Sequence, residues 1–305
     1  MNHNIEKPAS NRPQKKQGRL RNLCKRLVVY AGILYVAVLL MLVANETSLV
    51  YPGSDYPRGD WNPTHFDFEE VTFTSADGTE LVGWYLEKPD STPAGDPVRT
   101  VLLCHGNGEN VSQSTATSGD TFRRVLNADV FVFDYRGFGK CSGSPSEAGV
   151  LADADAALDW ICKRSEKSPS QIILVGHSLG GGPAVHLAAN RGCKALILQR
   201  TFNSLADAAQ SHYPWLPVKY IMRNQYPSEE KIKSCSMPLY QSHGSVDKMI
   251  PVSLARKLYE NSPAKSKVFN EIEGLGHLDP LPRRYWAELK QFIDSIDQVA
   301  STPKR

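Results

Sequence analysis

Four short apolar runs constrain the fold of this chain more than any other feature. They are Thr100-Val101-Leu102-Leu103-Cys104, Val130-Phe131-Val132-Phe133, Ile172-Ile173-Leu174-Val175 and Ala195-Leu196-Ile197-Leu198. A run of this kind, without polar alternation, belongs to a strand covered on both faces. The segments between them suit helices. Residues 111–126 are helix-compatible, residues 147–164 carry Ala148, Leu151, Ala152, Ala156, Leu158 and Ile161 mostly at helical spacing, and Pro183 to Asn190 continues the pattern. Further on, Pro238 to Gln241 reads as a shorter strand, Val252 to Asn261 as a helix, Val268 to Ile272 as a strand and Tyr285 to Val299 as a closing helix. Alternating strands and helices call for an α/β fold, with a mostly parallel central sheet and helices on both faces.

Two features depart from the alternation. Glu70-Val71-Thr72-Phe73 and Leu81-Val82-Gly83-Trp84-Tyr85 flank Ala76-Asp77-Gly78-Thr79, and an Asp-Gly pair between strand-like runs signals a hairpin. That hairpin adds antiparallel strands at one sheet edge. Residues 201–236, which include Ser211-His212-Tyr213-Pro214-Trp215-Leu216-Pro217-Val218, are too long for a simple connection. They are expected to form a short helical cap insertion, placed to roof a pocket or to pack against the sheet.

The third apolar run leads into Gly176-His177-Ser178-Leu179-Gly180. A strand followed by G-x-S-x-G and a helix is the setting of a nucleophile elbow, in which a sharp turn presents the serine. Gly176 and Gly180 let strand and helix backbones approach without Cβ collisions. A glycine-rich phosphate turn is the competing reading, but Gly176, Gly180 and Gly181 do not make G-x-G-x-x-G and no P-loop lysine follows.

A serine hydroxyl needs a base, and histidine has the pKa for it. Of the eight histidines, His277 lies in Gly274-Leu275-Gly276-His277-Leu278-Asp279, after the last strand, where ligands meet an open α/β sheet. It also comes late enough for the order Ser, acid, His. The acid must fall between them. Asp207, Glu229, Glu230, Asp247, Glu260, Glu271 and Glu273 are available, and Asp247 stands out because Ser242-His243-Gly244-Ser245-Val246-Asp247 leaves a strand and turns before a helix. Asp279 is too close in sequence to His277 to reach its ring. Backbone N–H groups of Asn107, in the loop after Cys104, and of Leu179 are the expected oxyanion donors. No Cys/His spacing suits a metal, and neither a metal nor an organic cofactor is expected.

Taken together, these segments resemble the α/β-hydrolase superfamily, especially its membrane-anchored serine hydrolases, over roughly residues 66–298. The resemblance rests on His105-Gly106-Asn107-Gly108-Glu109-Asn110, Asp134-Tyr135-Arg136-Gly137-Phe138-Gly139, Gly176-His177-Ser178-Leu179-Gly180, Tyr213-Pro214-Trp215-Leu216-Pro217, His243-Gly244-Ser245-Val246-Asp247 and Gly276-His277. It implies an α/β-hydrolase fold and acyl chemistry on esters or thioesters, the subgroup including lipid hydrolases and depalmitoylating thioesterases, with peptidases nearby. Gly108 stands where alanine is common. Gln199-Arg200-Thr201 carries a charge where small or apolar residues are usual, so the acyl side of the pocket is expected to differ. Asp134 and Arg136 are expected to shape a loop beside the site.

The N-terminus has a different character. Residues 1–26 carry a net charge of +7 and the remainder −4, within a total of +3. The mildly acidic remainder gives no electrostatic reason to expect nucleic acid. Leu27 to Ala44 is an uncharged run of 18 residues, about 27 Å as a helix, close to the hydrocarbon thickness of a bilayer. It reads as an uncleaved signal anchor, a single membrane pass. Its basic flank would keep the N-terminus cytoplasmic and place the hydrolase domain across the membrane, in a periplasmic or lumenal compartment. The expected organisation is thus a basic arm (1–26), an anchor (27–44), a linker or edge wrapping (45–65), the domain (66–298) and a tail (299–305). The expected partners are a small-molecule or lipid acyl substrate and the membrane; no obligatory protein partner is inferred.

Overall fold

The computed structural model describes residues 13–90 and 98–301. The remaining ends of the arm and tail, and most of the Pro-rich loop 88–98, lie outside the described residues. The chain divides into two units, one ending at Glu46 and one beginning at Thr47.

In the first unit, helix Pro13–Ala44 is longer than the apolar run alone. The basic residues before Leu27 continue it because Lys, Arg, Leu and Gln are good helix formers. Within it Arg19–Ala44 is the one helix among the described residues long and apolar enough to cross a membrane.

The second unit is built on eight strands: β1 Glu69–Thr74, β2 Glu80–Leu86, β3 Arg99–Cys104, β4 Ala128–Phe133, β5 Ile173–His177, β6 Ala195–Gln199, β7 Leu239–Gly244 and β8 Lys267–Ile272. They form one sheet in the order β1-β2-β4-β3-β5-β6-β7-β8. β1 and β2 pair antiparallel, β2 meets β4 antiparallel, and every later pairing is parallel. The hairpin closes at Gly78, whose φ is +88°. There Thr79 N–H donates to Asp77 Oδ1 at 3.1 Å, the local side-chain bond that favours aspartate in turns. β3 and β6 are buried at every position, as their unbroken apolar runs require. One core layer, including Leu102, Leu174, Leu198 and Leu187, fills one face; the other, including Val101, Val175, Ile197 and Leu289, fills the opposite face.

Two elements differ from their expected form. The 111–126 segment is two helical pieces, Val111–Ser114 and Asp120–Leu126, joined by a wider π-helical turn, Thr115–Gly119. Ser, Thr and Gly are weak helix formers, and a Cβ on Gly119 would sit 3.1 Å from the Val132 side chain, so this turn is pressed against β4. β7 runs three residues further than its apolar pattern, through buried Ser242, His243 and Gly244. The 201–236 insertion holds the short helices Leu205–His212, Val218–Ile221 and Ser228–Lys231. Its return packs on the body, Tyr226 lying against Gly182, whereas Tyr213, Trp215 and Tyr220 near its tip are exposed.

Candidate active site

The sheet reverses its winding between β3 and β5, because β4 lies on one side of β3 and β5 on the other. The carboxyl ends of strands at such a switch point open into a crevice suited to ligands. The loop after β3, residues 105–110, and the turn after β5 both face it.

That turn holds Ser178 at φ +52°, a left-handed backbone that costs a non-glycine residue about 1–3 kcal/mol. Three features hold the turn in this conformation. A Cβ on Gly176 would lie 2.6 Å from the Gly180 carbonyl oxygen, and one on Gly180 would collide with the carbonyl of Cys104. Thr201 Oγ1 donates to the Ser178 carbonyl at 2.8 Å. Helix Gly181–Arg191 then begins, which places Leu179 in the turn before it, among the N–H groups that have no partner within a helix.

From the far side of the sheet, β7 and β8 deliver Asp247 and His277. His277 Nδ1 is 2.7 Å from Asp247 Oδ2, and His277 Nε2 is 3.0 Å from Ser178 Oγ. Since the carboxylate only accepts, Nδ1 carries the proton and Nε2 is left to accept from the serine hydroxyl. Asp247 Oδ1 accepts the backbone N–H groups of Met249 and Ile250 at 2.8 and 2.9 Å. Burial works to raise the Asp247 pKa, but the bonds from His243, His277 and Ile250 outweigh it and hold the carboxyl well below its ordinary value. The group therefore stays ionised at neutral pH. An imidazole held this way by a carboxylate can take the proton of a hydroxyl as it attacks an electrophilic carbon.

The 105–110 loop lies against the elbow: a Cβ on Gly106 would be 3.6 Å from Ser178 Cβ. Buried His105 braces it, Nδ1 lying 2.7 Å from the Gly106 carbonyl oxygen and Nε2 3.3 Å from Asp134. Asp134 also accepts from Val111 N–H at 2.7 Å, so it secures the loop's far end. Burial raises its pKa. Arg136 pairs with buried Asp153 and with Asp77. The side chain of Asn107 is tied to the Val50 carbonyl. Its backbone N–H belongs to the same loop.

Other candidates lie elsewhere. Asp279 accepts the Gly276 N–H at 2.7 Å and shapes the His277 turn. Glu229 is engaged by Lys257 at 2.7 Å and Asn203 at 2.9 Å. Asn110, which begins a glycosylation sequon, is fully buried; it caps helix Val111–Ser114 and donates to the Ser54 and Arg58 carbonyls. All six cysteines are free.

Two residues quoted in the sequence motifs have contacts that sequence reasoning did not assign to them. Arg200, with φ +51°, is buried beneath the His277 loop and donates to the carbonyls of His277 at 2.5 Å and Asp279 at 2.6 Å. Its charge at a strand end was the available signal, and it points to the histidine loop. His243 donates through Nε2 to the Ile250 carbonyl at 2.8 Å and lies 3.3 Å from Asp247 Oδ2, which favours the ionised form of Asp247.

The sheet order, the strained serine elbow and the converging loops define the α/β-hydrolase class. The family model described as "alpha/beta hydrolase fold" matches residues 99–293, and the chain belongs to that family. Among its relatives, an uncharacterized protein of Mycobacterium tuberculosis is 34% identical over 84% of this chain and 90% of its own. An uncharacterized membrane protein of Saccharomyces cerevisiae is 30% identical over 81% of this chain and 88% of its own. An esterase of Pyrococcus furiosus superposes with a TM-score of 0.64 at 17% identity, covering 80% of this chain and 98% of the esterase; this is a likeness of fold.

Proposed function

We propose that the protein is a serine hydrolase that cleaves ester or thioester bonds through an acyl-enzyme. The contact series Ser178 Oγ, His277 Nε2, His277 Nδ1, Asp247 Oδ2 carries this reading. Ser178 Oγ attacks the acyl carbonyl while its proton passes to His277 Nε2. Asp247 holds the ring and stabilises the imidazolium. The negative oxygen of the tetrahedral intermediate is received by the N–H groups of Asn107 and Leu179. As the carbonyl reforms, the alcohol or thiol leaves with the proton from Nε2, and the acyl group remains on Ser178. Water then attacks, gives its proton to Nε2, and the acid departs as that proton returns to Ser178. The steps need no metal or organic cofactor.

The membrane-length helix Arg19–Ala44 supports a lipid or lipidated acyl substrate, because a tethered site works beside a bilayer. The basic flank supports a cytoplasmic N-terminus with the hydrolase domain across the membrane, and the insertion 201–236 supports a cap over the site. An aminopeptidase needs an acid free to bind a substrate amine, and Glu229 and Glu230 are paired with Lys257 and Lys233.

Fluorophosphonate labelling is the test. The wild type is expected to be labelled and Ser178→Ala to be blank. A wild type that resists labelling, and does not hydrolyse a panel of acyl esters and thioesters, would make this a binding protein on a hydrolase fold. A reporter fused at residue 305 tests the topology, with a cytoplasmic signal reversing it.

A further inference from the structure

Residues 50–58, on the sequence a connection between helix and domain, are built into the rim of the site. Tyr51 is 5% exposed and Ser54 1%, so the segment is pinned into the domain at these two positions. The segment contacts three separate parts of the site. The Val50 carbonyl accepts from the Asn107 side chain. The Ser54 carbonyl accepts from Asn110 Nδ2 at 3.1 Å and from Gly139 N–H at 3.0 Å, while Tyr56 N–H donates to the Gly139 carbonyl at 3.1 Å. The Tyr51 hydroxyl is 2.8 Å from that of Tyr226 and donates to Asn224 at 3.1 Å. Tyr226 in turn lies over Gly182 in the first turn of the elbow helix. The segment is thus a strap joining the 105–110 loop, the 134–139 loop and the return of the insertion.

We propose that this strap positions the oxyanion loop, Val50 fixing the Asn107 side chain and thereby the orientation of the Asn107 backbone N–H, with Tyr51 as the peg that anchors the strap to Tyr226. The proposal rests on the acyl-transfer reading above and deepens it. Asn107 adjoins Gly106, which lies against Ser178, so a small rotation of its peptide plane misaims an oxyanion donor without altering the triad. Losing one such donor costs on the order of 10²–10³ in rate. The Asn107 side chain and Tyr51 are positioning groups, because neither reaches the reacting atoms except through the loop.

The experiment uses the full chain with Tyr51→Phe and Asn107→Leu, each of which keeps its backbone N–H. Turnover of p-nitrophenyl acyl esters, inhibition by a trifluoromethyl ketone that forms a tetrahedral adduct, and thermal midpoint are read together. Asn107→Leu is expected to lower kcat about 10- to 100-fold and Tyr51→Phe about 3- to 10-fold. KM should stay within about twofold, and inhibitor affinity should weaken in parallel with kcat/KM. A purely structural role would lower the thermal midpoint without that parallel. Variants matching the wild type in both kcat and inhibitor affinity overturn the strap alone, as does a loss explained wholly by unfolding. A wild type that neither turns over ester nor binds the ketone overturns the acyl-transfer reading along with it.

Discussion

At the scale of single residues, Ser178 is where the chain gives up stability for geometry. Its left-handed backbone, φ +52°, is unstrained only for glycine. Ser178→Gly is therefore expected to raise unfolding stability by about 1 kcal/mol, the relief of strain exceeding the added flexibility of the unfolded chain. Activity should vanish in the same variant, and urea unfolding against turnover checks both. His177 gives a second prediction. Burial pushes its imidazole down from 6.5 to about 4. Between those values the unfolded chain binds a proton that the folded chain refuses, so stability rises with pH across the window and is lost as pH falls through it. The loss is on the order of 3 kcal/mol. His177→Gln is expected to flatten the difference in urea midpoint between pH 7 and 4.5, and an unchanged slope would refute the assignment. The turn at Ser178 is legible in the motif around it, but the state of His177 is not, because the sequence there shows only a histidine.

At the scale of elements, the strand–serine–helix junction is legible because its glycines are spaced by the turn itself. The structure also separates them by consequence. A Cβ on Gly180 meets the Cys104 carbonyl, whereas one on Gly108 meets nothing within 4 Å. Gly180→Ala is expected to cost about 3 kcal/mol and to abolish activity. Gly108→Ala should stay within about 0.5 kcal/mol of the wild type, and thermal unfolding of both tests the contrast. β7 shows why pattern reading stops short at a site. Ser242 and His243 are polar and buried, and His243 lies 3.3 Å from Asp247. Periodicity registers them as loop.

At the scale of the whole molecule, the strap makes the segment before residue 66 part of the domain. Chains starting at residue 45 and at residue 66 should therefore differ. The shorter one loses buried Tyr51 and leaves Asn110 without its Ser54 and Arg58 acceptors, a deficit on the order of 4 kcal/mol. The longer chain is expected to unfold cooperatively, and the shorter one at markedly lower temperature or not to fold; equal midpoints would make the segment a mere wrapping. The apolar runs determined the parallel sheet and its two covered faces by themselves, because burial on both sides leaves an unbroken hydrophobic signature. The serine turn, the late histidine and the membrane-length helix were equally plain, being local in sequence. Only the tertiary structure decided that Arg200 donates to the His277 carbonyl, that His243 donates to the Ile250 carbonyl and that Val50 meets Asn107. Those contacts join positions from 7 to 77 residues apart through backbone carbonyls, and a carbonyl leaves no mark on the amino-acid sequence.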